Sequence, residues 1–165
     1  MANGDIQKCT LSLLMDNKPG VLSRIVGLFS GRGFNIESLC VAATNDSDVS
    51  RLTLVTKGDR NVIEQVKKQL NKLIDIIKVL DFQDSPNVQR EMALIKVRAK
   101  GDHKAEILRL VAIFNAKVVD VSQDYYTIAV TGGADKIQDI LELLKPAGIK
   151  EIARTGAIAL GREKK

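Results

Sequence analysis

MDNKPGVLSRIVGLFSGRGFNIESL, residues 15–39, decides how the rest of the chain is read. Leu22, Ile25, Val26 and Phe29 recur at i, i+3, i+4 and i+7, which is one face of an α-helix. Pro19 stands just ahead of that face, where its fixed φ suits a first helical turn, and Asn17 suits a helix cap or an Asx-turn. Gly31 and Gly33 follow the face and stop the helix. Two glycine-containing turns and two asparagines, Asn17 and Asn35, therefore bracket one short helix, with no nucleophile, base or metal ligand beside them.

Outward from this helix the elements alternate. KCTLSLLM (8–15) precedes it and is rich in apolar and β-compatible types, so it predicts a strand. NIESLCVAAT (35–44) and VSRLTLVT (49–56) predict two more strands across the polar turn Asn45–Asp48. Val62, Ile63, Val66, Leu70 and Leu73 give a second helical stripe, and IIKVLDF (76–82) closes the unit as a strand. That order is βαββαβ, the ferredoxin-like arrangement, an antiparallel sheet with two helices on one face. The other sheet face, or a sheet edge, must find cover elsewhere.

The polar stretch QDSPNVQ (83–89) reads as a linker, and beyond it the order recurs. MALIKVRA (92–99), AKVVDVS (116–122), YYTIAVT (125–131) and IKEIART (149–155) suit strands. Ile107, Leu110, Val111 and Phe114 form one helical stripe, and Ile137, Ile140, Leu141 and Leu144 form another. GAIAL (156–160) adds a short edge strand. The predicted class is α+β: two ferredoxin-like βαββαβ domains at 1–82 and 90–165, joined by a linker at 83–89. The 165-residue length suits two domains of roughly 75–85 residues each. Aromatic residues make up only 4% of the chain, so both cores must be built from Ile, Leu, Val and Ala. Domains that small hide a modest share of their surface from water, and a symmetric homodimer is the simplest relief.

Several function classes are disfavoured. The net charge is +5, with Arg162, Lys164 and Lys165 in a basic tail, but 20 acidic residues interleave with the bases. No pair of helices joined by a short turn suggests a helix-turn-helix, so no nucleic-acid partner is expected. No apolar run approaches the roughly 20 residues needed to span a bilayer, and MANGDIQK lacks the apolar region of a signal peptide. Cys9 and Cys40 sit in apolar strand-like runs without a second ligand at metal spacing, which suggests buried thiols in a reducing, cytoplasmic setting. The single histidine, His103, lies in the polar turn KGDHKAE, and none of the serines has a histidine near it in sequence. Gly31-Arg32-Gly33 ends a helix where a dinucleotide fingerprint would open one. Catalysis by this chain alone, and metal binding, are not expected.

Binding without chemistry fits better. A helix N-terminus offers backbone N–H groups and partial positive charge to a small carboxylate. Gly20 lacks a Cβ and lets a ligand approach the backbone. Asn17 and Asn35 offer amides that read an ammonium or a carboxylate, and Val21, Leu22 and Ile36 offer apolar surface. Together they suit a small aliphatic amino acid. The same residues also suit a purely structural role, with Asn17 capping a helix, Gly20 easing a turn and Asn35 opening a strand. Spacing alone does not choose.

DNKPGVLSRI (16–25) resembles the first turn and helix of ACT domains, regulatory modules that bind amino acids between subunits. NKPGVLSRIVGLFSGRGFNIESLCVA (17–42), SRLTLVT (50–56), VIEQVKKQLNKLIDIIKV (62–79), REMALIKV (90–97), YYTIAVTGGADKIQDILELLKP (125–146) and EIARTGAIALGR (151–162) are similar to the regulatory small subunits of acetolactate synthase. The resemblance covers nearly the whole chain, and GLFSGRGFNIESL is its most specific part. It implies a non-catalytic partner of a large catalytic subunit that holds thiamine diphosphate, FAD and Mg²⁺, with no cofactor in this chain. It implies activation of that subunit and allosteric feedback inhibition by valine, sometimes by leucine or isoleucine, in branched-chain amino acid biosynthesis. By position, the valine site takes Asn17, Gly20, Val21 and Leu22 from one chain and Asn35 and Ile36 from the adjoining chain, across the dimer interface of the first domains. Cys40 stands where members of the family often carry Thr. The alternative is an ACT-domain ligand sensor that regulates another enzyme or transcription.

Overall fold

The computed structural model describes residues 6–83 and 85–163. Lys164 and Lys165 of the basic tail, and the first five residues of the MANGDIQK segment, lie outside the described residues. The chain divides into two compact units, one running to Val88 and including the residues from Ala157 onward, the other Gln89–Gly156.

The first unit runs β1 (Gln7–Asp16), α1 (Val21–Gly31), β2 (Ile36–Ala43), β3 (Val49–Gly58), α2 (Arg60–Leu70) and β4 (Ile76–Asp81). Its strands lie antiparallel in the order β2-β3-β1-β4, the ferredoxin-like arrangement expected from the pattern. Successive side chains of a strand point to opposite faces. Cys9, Leu11, Leu13 and Met15 on β1 therefore join Leu52 and Leu54 on β3 in one core. Val21, Ile25 and Phe29 of α1 and Ile63, Val66 and Leu70 of α2 close it from the helical side. The Asp59 carboxylate caps α2 by accepting a 2.9 Å hydrogen bond from the Val62 N–H. Leu73, the last member of the predicted stripe, lies beyond the helix, half-buried against the same core.

Both ends of α1 differ in detail from a simple cap-and-stop. Asn17 does not cap the helix; the cap position is Gly20, at φ +86°, and no side chain bonds to it. Pro19 lies one residue outside the helix. The Val21 N–H donates to the Lys18 carbonyl at 3.4 Å, so Lys18-Pro19-Gly20-Val21 is a turn with Pro second and a positive-φ Gly third, the type II requirement. At the other end Gly33 (φ +68°) donates to Ser30 O and Phe34 donates to Phe29 O, a Schellman closure. Phe29 and Phe34 then meet edge-to-face with ring centroids 6.2 Å apart.

The second unit repeats the plan. β5 (Asn87–Arg98), α3 (His103–Ile113), β6 (Lys117–Val121), β7 (Tyr125–Gly132), α4 (Ala134–Leu144) and β8 (Ile149–Arg154) give the sheet order β6-β7-β5-β8. Ala93, Ile95 and Val97 of β5, with Ile128 and Val130 of β7, pack beneath Ile107 and Leu110 of α3 and Ile137, Ile140 and Leu144 of α4. α3 closes as α1 does, with Asn115 (φ 50°) in the place of the glycine.

β5 begins at Asn87, inside the stretch read as linker, because the Asn87 amide bonds back to Phe82 O and Ser85 O and starts the strand early. The closing strand β9 (Ile158–Gly161) pairs with β5, whose first two residues belong to the first unit, and packs against β1. Ala159 is buried, and Phe82 reaches to 3.6 Å from where a Cβ on Gly161 would stand. On β1 the residues facing away from the helices, Thr10 and Ser12, are themselves buried. The helix-free face of the first sheet is thus partly covered, as a sheet with helices on one side requires.

At the end of β4, burial pushes the Asp81 carboxyl up, but the Gln83 N–H, the Lys67 ammonium at 3.0 Å and the Cys9 thiol together outweigh it. The net effect holds Asp81 below its ordinary 3.8. A depressed carboxylate stabilises the fold above its unfolded pKa, and that contribution is lost as the pH falls through the folded value. Asp81→Asn is therefore expected to lower stability by about 1 kcal/mol at pH 7. The difference should begin to shrink below about pH 4 and vanish below the folded-state value. Urea unfolding of both proteins from pH 7 down to about pH 2 checks this, and a gap that does not shrink as the pH falls would remove the carboxylate from the account.

Candidate functional site

The bend after β1 is built by hydrogen bonds to a loop far away in sequence. The Asn17 backbone N–H donates to Asp48 O at 2.7 Å, and its side-chain amide donates to Ser47 O at 2.8 Å. Asn17 therefore clamps the bend to the β2–β3 turn. That turn is held by its own Asx bond, from the Asp48 N–H to the Asp46 carboxylate at 3.0 Å. Arg24 pairs with Asp75 at 3.1 Å and ties α1 to the segment before β4.

The clamp presents the start of α1 to solvent. Gly20 is exposed, and nothing lies within 4 Å of where its Cβ would stand. With no side chain capping the helix, the N–H groups of its first turn remain available to an anion. Lys18 beside it is exposed, and its ammonium is pushed up by a 2.8 Å hydrogen bond to Asp16, with Asp75 and Asp48 adding to the attraction. The bend thus offers helix N–H groups next to carboxylates, a pattern that suits an ammonium and a carboxylate on one small molecule. The predicted apolar residues divide. Val21 is buried and its side chain belongs to the core, so it contributes backbone only, while Leu22 is exposed.

Asn35 and Ile36 form the second patch. The Asn35 side-chain amide donates to Glu37 at 3.0 Å, and the Asn35 backbone carbonyl accepts from the buried Thr56 hydroxyl at 2.6 Å. Glu37 pairs with Lys57 at 3.0 Å, and that hydrogen bond chiefly holds its carboxyl below the usual range. Ile36 is half-buried against the core at the first residue of the edge strand β2.

Within one chain these patches are not together. Ile36 pairs with Thr56, and Thr56 with Cys9, whereas the bend follows Asp16, which pairs with Val49. From Cys9 to Asp16 the sheet runs about 23 Å at about 3.3 Å per residue. The two patches stand at opposite ends of the sheet. Spacing in sequence missed Ser47, Asp48, Glu37 and Lys57 as supports of the asparagines. The run Asn45-Asp46-Ser47-Asp48 signals a turn, but not that the turn grips Asn17.

His103 is the exposed first residue of α3. Among the described residues no cluster of three or more His, Cys, Asp or Glu side chains could hold a metal. Among the described residues no helix is long and apolar enough to cross a membrane. Cys9 is buried, Cys40 is half-buried, and neither is in a disulfide.

Two ferredoxin-like units, the first with an uncapped helix N-terminus behind a Pro-Gly turn, define the class of proteins built from paired ACT-type domains. Comparison with known proteins narrows it. Residues 11–78 match the family model of the AHAS small subunit-like ACT domain, and residues 90–163 match that of the small subunit of acetolactate synthase. The acetolactate synthase small subunit of Aquifex aeolicus is 52% identical over 161 residues, covering 97% of this chain and 84% of its own. The probable acetolactate synthase small subunit of Archaeoglobus fulgidus is 51% identical over 158 residues, covering 96% of this chain and 99% of its own. The crystal structure of the acetolactate synthase small subunit from Thermotoga maritima superposes with a TM-score of 0.87 at 41% identity, covering 96% of this chain and 99% of that one. The chain belongs to the acetolactate synthase small subunit family.

Proposed function

We propose that this chain is the non-catalytic regulatory subunit of a cytoplasmic acetolactate synthase, and that it binds valine between the first units of two copies. The carrying observation is the separation of the two patches along the first sheet. β2 is an edge strand, and antiparallel pairing of two β2 edges about a two-fold axis lays the start of one beside the end of the other. The end of β2 lies at the same end of the sheet as the bend, because Ala43 pairs with Ser50 and Ser50 with Met15. A two-fold therefore carries Asn35 and Ile36 of one protomer toward Asn17, Gly20 and Leu22 of its partner. Two equivalent sites form, one at each end of the seam.

In this reading the valine carboxylate takes the α1 N–H groups, its ammonium meets the Asn amides and nearby carboxylates, and its isopropyl group lies against Leu22 and Ile36. Valine shifts the dimer toward whichever geometry completes these contacts, by no more than its difference in affinity for the two geometries. A coupling of about 1–3 kcal/mol gives a 5–150-fold effect on the partner. The catalytic subunit supplies thiamine diphosphate, FAD and Mg²⁺, and this chain raises its activity.

The test is reconstitution with purified acetolactate synthase large subunit, with and without valine. Activity is expected to rise several-fold on mixing and to fall again as valine saturates. No activation would remove the partner assignment, and activation insensitive to valine, leucine and isoleucine alike would remove the ligand.

A further inference from the structure

We propose that the second unit carries a self-association edge of its own, at which β6 pairs antiparallel with β6 of a second copy of this chain, Lys117 of each facing Asp120 of the other. β6 ends the second sheet, in the order β6-β7-β5-β8. Its Val119 and Val121 are 55% and 64% exposed. Exposed apolar side chains on a bare strand edge make a template for pairing. The first unit shows the same feature on a smaller scale, with Val41 of its edge strand β2 and Leu22 and Val26 of α1 exposed.

Charges and bulges on edge strands ordinarily discourage pairing. β6 has both, arranged so that they complement a second copy. Lys117 lies opposite Ala129, Val118 opposite Ile128 and Asp120 opposite Thr127, with Val119 as the extra, bulged residue. Residues three apart on a regular strand face opposite ways. The bulge turns Lys117 and Asp120 onto one face, the helix-free one shared by Ala129 and Thr127. Val118 and Val121 point the other way with Ile128 and Tyr126, toward the helices.

A two-fold requires that if residue i meets j, then j meets i. Centring the pair between Val118 and Val119 sets Lys117 against Asp120 twice. It also places Val121 opposite the partner's small Ala116. No other register of the two β6 strands satisfies both charges on one face. A foreign partner would need to reproduce this pattern, whereas a second copy supplies it by symmetry. The inference stands apart from the amino-acid site, and its failure leaves that reading intact.

The test uses the full chain and charge reversal at two exposed positions. Lys117→Asp and Asp120→Lys each replace two attractions per dimer with two repulsions. Each should weaken self-association about tenfold in sedimentation equilibrium. The double variant Lys117→Asp, Asp120→Lys restores the complement and should return within about threefold of the parent. The contribution of the first unit is common to all four proteins and cancels. Single variants that associate like the parent, or a double variant as weak as the singles, would overturn the proposal. Unchanged self-association with lost activation of the catalytic subunit would also overturn it, assigning the edge to that subunit instead.

Discussion

Gly20→Asp is expected to abolish the valine response, with the apparent affinity falling at least 100-fold, while activation of the catalytic subunit is retained. Three facts drive the size of the effect. A carboxylate at position 20 takes the α1 N–H groups that the proposed site offers to the ligand's own carboxylate. It also places negative charge against that carboxylate, beside Asp16 and Asp48. The fold tolerates the change sterically, because nothing lies within 4 Å of a Cβ at this position. The remaining cost is the left-handed backbone at φ +86°, roughly 1 kcal/mol for a residue with a side chain, and least for Asn and Asp. Gly20→Ala isolates that cost, since it carries the backbone penalty without the charge, and should keep a measurable valine response. Calorimetric titration of valine, run beside the reconstituted activity assay, checks both variants. An unchanged inhibition curve for Gly20→Asp would move the ligand elsewhere.

Phe29→Ala is expected to cost about 4 kcal/mol and to uncouple the first unit from the rest of the chain. Phe29 is 1% exposed in the core between α1 and the sheet. Truncating a buried Phe to Ala loses the transfer energy of the ring and leaves a cavity, about 3–5 kcal/mol together. Here the ring also meets Phe34 edge-to-face across the Schellman closure, which sets where the chain turns from α1 into Asn35 and β2. A domain has only about 5–15 kcal/mol in total. The variant should therefore show an early urea transition, with valine binding lost in the same range. Phe29→Leu keeps most of the volume, and its loss should stay near 1–2 kcal/mol. A Phe29→Ala protein unfolding in step with the parent would mean that the α1 core is not what holds the unit.

The elements were legible in the sequence because one-sided burial imposes a period, and the period is printed in residue types. Ile25 and Phe29, or Ile137, Ile140, Leu141 and Leu144, can share a core only on a helix. The repetition of that order beyond the 83–89 stretch carried the second unit in the same way. Element ends were less legible, since they depend on hydrogen bonds between distant residues. Asn17 has the composition of a cap, but its amide reaches Ser47, thirty positions away, and the helix begins at Val21 without it. β9 follows the second unit in order yet belongs to the first, because burial of Ala159 and its packing against β1 outweigh proximity in sequence.

By itself the sequence determined the class, the two βαββαβ units, the turns around α1 and the residues worth weighing as a site. Each of these follows from local backbone chemistry and the periodicity of burial, which act over a few residues. Only the tertiary structure decided that Asn17–Leu22 and Asn35–Ile36 stand at opposite ends of one sheet. It also decided that Val21 faces inward, and that a bulge at Val119 turns Lys117 and Asp120 the same way. Strand order and register are settled by contacts between residues far apart in the chain, and no local signal encodes them.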